Sequence, residues 1–197
     1  LGNAKVSLDY CVWQVWRHCQ PSLYEAFSHA QVKKQIIKKV ITLDERSKRF
    51  SYGPPIESMQ QLLALVDAQI VTLDFVEDPD ISLTEDGWRL KNGDDSISTS
   101  TVMVNSVLDA PKLLEINSEI IQKLLSHDLI QPIHSDLGIE TRKNGFVKTA
   151  DDKPDVSIAV LGRLAKGSVI GVDAILECFG PRIEDWAEAY VKKLKSS

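Results

Sequence analysis

The stretch Asp155–Gly180, DVSIAVLGRLAKGSVIGVDAILECFG, constrains this chain more than any other. It opens with a short apolar run, Val156–Leu161. It then passes a loop punctuated by Gly162, Gly167 and Gly171, and resumes in a helical pattern from Val172 to Phe179. A buried strand feeding a glycine loop and a helix N-terminus is how α/β proteins present backbone N–H groups to an anion. The segment Gly162–Ser168 spaces superficially like a P-loop, but Lys166 precedes the second glycine where phosphate chemistry needs the lysine after it. Without that lysine the β/γ-phosphate charge is unmet, which argues against a nucleotide triphosphatase. No GxGxxG occurs in the chain, so it carries no Rossmann first turn. What remains is Arg163 and Lys166 beside three glycines, open either to a cofactor-edge contact or to plain strand–helix packing.

The totals exclude several classes. A net charge of −5 argues against a dedicated nucleic-acid binder. No apolar run approaches the roughly 18–20 residues of a membrane span, and no basic-then-apolar leader opens the chain. The cysteines Cys11, Cys19 and Cys178 form neither a disulfide framework nor a zinc spacing. A reduced, cytoplasmic setting is the expectation, with no metal and with Cys11 and Cys19 as small apolar side chains.

Periodicity outlines the rest. Leu8, Val12, Val15, Trp16 and Cys19 predict a core-facing, aromatic-rich helix over Val6–His18, and Pro21 suits the first turn of a second helix. Val32, Ile36, Ile37, Val40 and Ile41 form an amphipathic stripe opposite Lys33, Lys34, Lys38 and Lys39. That basic face is either a solvated surface or a docking face for an acidic partner. Ile56–Val66 reads as a helix. Ile70–Val76, Ile81–Thr84, Trp88–Lys91 and Ser96–Val107 read as successive strands, with Asp86-Gly87 and Asn92-Gly93 as turns and Val102–Leu108 as an inner strand.

Ile116–Leu125 is the next helix, with Ile120, Ile121, Leu124 and Leu125 facing inward. A hairpin follows over Gly138–Arg142 and Gly145–Thr149, and a last helix starts at Pro181 with Ile183, Trp186, Ala187, Tyr190 and Leu194 on its inner side. His127-Asp128 and His134-Ser135-Asp136 are possible acid–base fragments, but no nucleophile can be placed beside either, so no catalytic residue is assigned. The expected architecture is α/β: a mixed sheet with an antiparallel meander, flanked by helices. The expected segments are a helical part over 1–53, a helix plus antiparallel strands over 54–115, and a third part over 116–197.

Three runs are familiar. They are the apolar strand ending Asn105-Ser106-Val107-Leu108-Asp109-Ala110-Pro111, the helix-to-hairpin stretch LLSHDLIQP…DLGIETRKNGFVKT, and VSIAVLGRLAKGSVIGVDAI. Together the chain from Met103 to Trp186 resembles the C-terminal part of bacterial flavoproteins of the FAD/NAD(P)-binding superfamily, in particular the FAD-NAD(P)-binding family. The resemblance implies a partial FAD/NAD(P)-binding-type fold and the C-terminal portion of a flavin-dependent, NAD(P)-linked oxidoreductase. It implies that Gly162, Arg163, Gly167, Ser168, Gly171 and Val172 lie near the flavin. Gly162 matches the family's glycine, whereas Arg163 stands where many relatives carry an acidic residue that meets the ribitol. It also implies that FAD, and with it NAD(P), binds only together with an N-terminal GxGxxG unit outside this sequence. The alternative expectation is a non-catalytic interaction or regulatory module that uses the Lys33–Lys39 face.

Overall fold

A computed structural model describes residues 7–51, 53–106, 110–149, 151, 157–172 and 180–196. The chain is a mixture of α and β, as expected, and divides into two units: Leu1–Tyr52 together with Ala110–Ser197, and Gly53–Asp109. Residues 1–52 thus pack with the C-terminal part rather than standing as a separate helical segment.

The larger unit is built on two helices. Helix α1 spans Leu8–Phe27, capped by Ser7, whose hydroxyl accepts from the Tyr10 N–H. It runs through Pro21 instead of restarting there; the proline removes one donor, so the Arg17 carbonyl loses its i+4 partner. The predicted core stripe at its N-terminal end is not buried: Leu8, Val12, Val15 and the two cysteines are exposed. Core contact begins at Leu23, Tyr24 and Phe27, one face of the last two turns. Helix α2, Lys34–Ser47, buries Ile37, Val40 and Ile41 as its stripe predicts, while Val32 and Ile36 stay exposed. These side chains meet Leu137 and Ile170 from the far end of the sequence. Fully burying each aliphatic side chain is worth about 1.5–3 kcal/mol, which ties residues over 100 positions apart into one core.

A second cluster joins Leu113, Ile130, Ile139 and Val147 to helix α4, Glu119–Ser126. Ile121, Leu124 and Leu125 pack there; Ile120 points to solvent instead. The predicted hairpin is present as bridges rather than full strands: Thr141 pairs with Val147, and the Arg142 N–H donates to the Phe146 carbonyl at 2.7 Å. Segment 157–161 joins it through the Phe146–Ala159 bridge and the Val147 N–H donating to Ile158. It is therefore an irregular edge, not the regular strand expected. The expected helix over Val172–Phe179 lies outside the described residues beyond Val172. Helix α5, Pro181–Ser196, begins where the proline predicts, yet Ile183, Tyr190 and Leu194 are exposed, and its buried residue is Arg182.

The smaller unit contains helix α3, Ile56–Asp67, and a three-stranded antiparallel meander. Its strands are β1 (Asp80–Thr84), β2 (Gly87–Lys91) and β3 (Ile97–Ser100). The register pairs Ile81 with Leu90 and Leu83 with Trp88, so β1 and β2 share an apolar face, which β3 continues with Ser98 and Ser100. Among the described residues two predicted strands are not formed, and Val107 and Leu108 of the second lie outside them. Ile70–Val76 alternates correctly but finds no partner and forms turns, and residues 101–106 leave the sheet with Val102 and Val104 exposed. The described sheet is accordingly antiparallel, not mixed. No described residue of this unit is buried.

Candidate functional site

The bend at 162–172 has an open end and a sealed end. Gly162 closes the bridged segment in extended backbone, and among the described residues no atom beyond its chain neighbours lies within 4 Å of where its Cβ would sit. Arg163 follows in a single 3-10 turn, Arg163–Ala165, and is half-buried. From Ala165 to Val172 every residue is buried. Gly167 has a φ of +103°, and a Cβ there would collide with Ile133 and Leu137. A Cβ on Gly171 would enter the Tyr24 ring. Val172 packs against Ala165 and Val169. Upstream, Gly138 lets the hairpin backbone approach the bend, donating its N–H to the Lys166 carbonyl at 2.9 Å.

Ser168 is a structural knot. Its hydroxyl donates to the Ile139 carbonyl at 3.1 Å and accepts from the Thr141 N–H at 2.9 Å. Its own carbonyl accepts from the His29 N–H at 2.7 Å, and the next turn is pinned by the Ile170 N–H donating to the Ser28 hydroxyl. The C-terminus of α1 is thereby docked onto the bend. Of the six residues expected to face a cofactor, Gly162 is exposed and Arg163 half-buried, whereas Gly167, Ser168, Gly171 and Val172 are buried.

Two charged groups lie beneath the bend. Lys166 is 2% exposed and donates to Glu45. Asp44, 1% exposed, accepts from the Tyr24 hydroxyl at 2.8 Å. Burial pushes the Asp44 carboxyl above the usual aspartate range, against the pull of Tyr24 and Lys166. Glu45 moves the other way: burial would raise it, but hydrogen bonds from Lys166 and Lys48 together hold it low.

Beside Ser168 opens a crevice of about 300 Å³. His29, Thr141, Arg142, Lys143 and Lys148 line it, with Glu140. His29 sits in left-handed backbone, φ 57°, as the residue after the α1 C-cap Ser28. Its Nδ1 faces the Thr141 carbonyl at 3.1 Å. A carbonyl only accepts, so Nδ1 carries the proton and Nε2 the lone pair. Burial lowers the imidazole below the usual histidine range; the Thr141 carbonyl opposes, and Arg182, Lys143 and Lys148 add to the lowering. Sequence reasoning passed over this group, because a histidine two residues past a helix end carries no periodic signal.

The remaining sequence candidates are local. His127 Nδ1 lies 2.8 Å from the Lys123 carbonyl, and His134 Nδ1 accepts the Asp136 N–H at 3.2 Å, so each imidazole is tethered through Nδ1 to its own turn. On the α2 basic face Lys34 pairs with Glu140 and Lys38 with Asp136, which neutralises half of its four lysines within the chain. The aromatics of α1 form an open groove of about 420 Å³ with Arg49 and Phe50, where Tyr10 and Trp13 tilt against one another at 5.4 Å. Among the described residues no group of three His, Cys, Asp or Glu side chains is arranged to hold a metal ion, and no helix is long and apolar enough to cross a membrane. No family model, no curated protein and no solved structure matches the chain.

Proposed function

We propose that this chain is the C-terminal portion of a flavin-dependent, NAD(P)-linked oxidoreductase and that it contributes an edge contact to the flavin at Gly162 and Arg163. The reading is supported by the resemblance of the Met103–Trp186 run and is carried by one structural observation: the backbone at Gly162 stands open, with no atom where a side chain would be. A glycine at the end of a bridged segment lets a planar ring or a ribityl chain approach the main chain closely. Arg163 offers a cation and planar donors at the same edge, which suits a phosphate or a flavin carbonyl better than a ribitol hydroxyl. The buried part of the bend holds that edge in place: Ser168 and Gly171 fix it to α1. No hydride-transfer step is assigned to a residue of this chain.

The test is spectroscopic. The polypeptide encoded by the whole gene, purified and kept anaerobic, is given NADH or NADPH. Bleaching of a bound flavin spectrum is the expected result; a preparation that binds FAD but is not reduced by either nucleotide removes the NAD(P)-linked half of the proposal.

A further inference from the structure

The crevice beside Ser168 combines features that plain packing leaves unexplained. Thr141 is 3% exposed, and its Oγ1 has no hydrogen-bond partner; the Nε2 of His29 is likewise hidden and unpartnered. Buried polar atoms are nearly always satisfied, and an unsatisfied donor and acceptor on one crevice call for an explanation. A second oddity is the backbone. His29 holds a positive φ, an uncommon conformation for a side chain of this size, and is kept there by its N–H bond to Ser168. A third is charge. Arg142, Lys143 and Lys148 line the crevice together with the carboxylate of Glu140, which pairs with Lys148 and is shared with Lys34 from outside the lining.

We propose that this crevice binds a small organic anion bearing a hydroxyl next to its charged group. The three cations hold the negative charge. The Thr141 hydroxyl donates to an anionic oxygen. The ligand's own hydroxyl donates to His29 Nε2, whose lone pair is fixed outward by the Nδ1–H bond to the Thr141 carbonyl. Both atoms are buried, so the ligand reaches them only as a side chain at the crevice gives way, and that of Gln31 is exposed. A volume of about 300 Å³ is about twice that of an engineered cavity that holds benzene, which admits an anion of up to about a dozen non-hydrogen atoms but not a dinucleotide. The inference is independent of the flavin reading.

Calorimetric titration of the unmodified chain with L-malate, D-malate and succinate is the direct test, since succinate keeps the charge and lacks the hydroxyl. sn-Glycerol 3-phosphate against ethyl phosphate repeats the comparison with a phosphate as the anion and tells the two anion types apart. At least one hydroxylated member is expected to bind about tenfold or more tightly than its partner, because a site built to pair a hydroxyl rejects the analogue without one. Thr141→Val and His29→Asn, the latter chosen because asparagine tolerates left-handed backbone, are each expected to erase that ratio. Lys148→Gln is expected to weaken both members equally. The imidazole nitrogen resonance of His29, followed by NMR in the unmodified chain, is expected to move with the hydroxylated anion alone. Equal affinities within both pairs, no binding by any of the probes, or a ratio that survives both variants overturns the proposal.

Discussion

Replacing Tyr24 by Phe removes one oxygen atom and unpairs Asp44. The hydroxyl donates to Asp44 Oδ1 at 2.8 Å, and the carboxyl is 1% exposed, so water cannot replace the lost bond. Gln20, which donates to the same hydroxyl, is only half-buried and regains water. A hydrogen bond to a charged group is worth about 1.5–3 kcal/mol and one between neutral groups about 0.5–1.5 kcal/mol. Tyr24→Phe is therefore expected to cost about 2 kcal/mol at pH 7 and about 1 kcal/mol where Asp44 is protonated in both states. The sign follows from linkage. Burial raises Asp44 in the folded state above its ordinary 3.8, so its contribution is fully present below that value and is lost as pH rises through the folded pKa. Removing Tyr24's bond to the ionised form raises that pKa further and enlarges the loss. Urea unfolding followed by tryptophan fluorescence at pH 7 and at about one pH unit below that 3.8 measures both limits. An equal cost at the two pH values, or none at pH 7, refutes the picture of a sealed carboxylate held by Tyr24.

Gly162→Val is expected to leave unfolding stability within about 0.5 kcal/mol, because the site is open and the backbone extended, while weakening FAD uptake by the whole-gene product; unchanged flavin titration would reject the edge contact. Glu45→Ala is expected to destabilise the chain by about 1–2 kcal/mol more than Lys166→Met, because the first takes an ion-pair partner from a buried ammonium and the second releases a carboxylate whose side chain is 44% exposed; the reverse order in urea melts would show that Lys166 does not depend on Glu45. Changing Lys33, Lys34, Lys38 and Lys39 together to Gln is expected to preserve cooperative thermal unfolding, since Ile37, Val40 and Ile41 carry the packing of α2; loss of the transition would show that the face is structural.

Helix positions were legible where a stripe of apolar residues recurred at three and four, as in α2 and α4. Burial was not. The stripes of α1 and α5 look as apolar as that of α2, yet Leu8, Val12 and Val15 of the first and Ile183, Tyr190 and Leu194 of the second are exposed. Ile70–Val76 has the alternation of a strand, but a strand exists only through a partner's backbone, and none is supplied. Pro21 was misread as a start because its fixed φ suits a helix interior as well as a first turn. The glycine bend was legible as a special backbone, and Gly167 and Gly171 do need to be glycine, but for close packing under Ile133, Leu137 and Tyr24 rather than for a ligand. The knot through Ser168 and the crevice at His29 depend on contacts across 112 or more positions for His29 and 27 for Ser168, which no local pattern announces.

The visible absorption spectrum of the polypeptide made from the whole gene tests the central proposal most directly. A yellow protein that releases FAD on denaturation is the predicted result. A colourless one whose spectrum is unmoved by added FAD would contradict it.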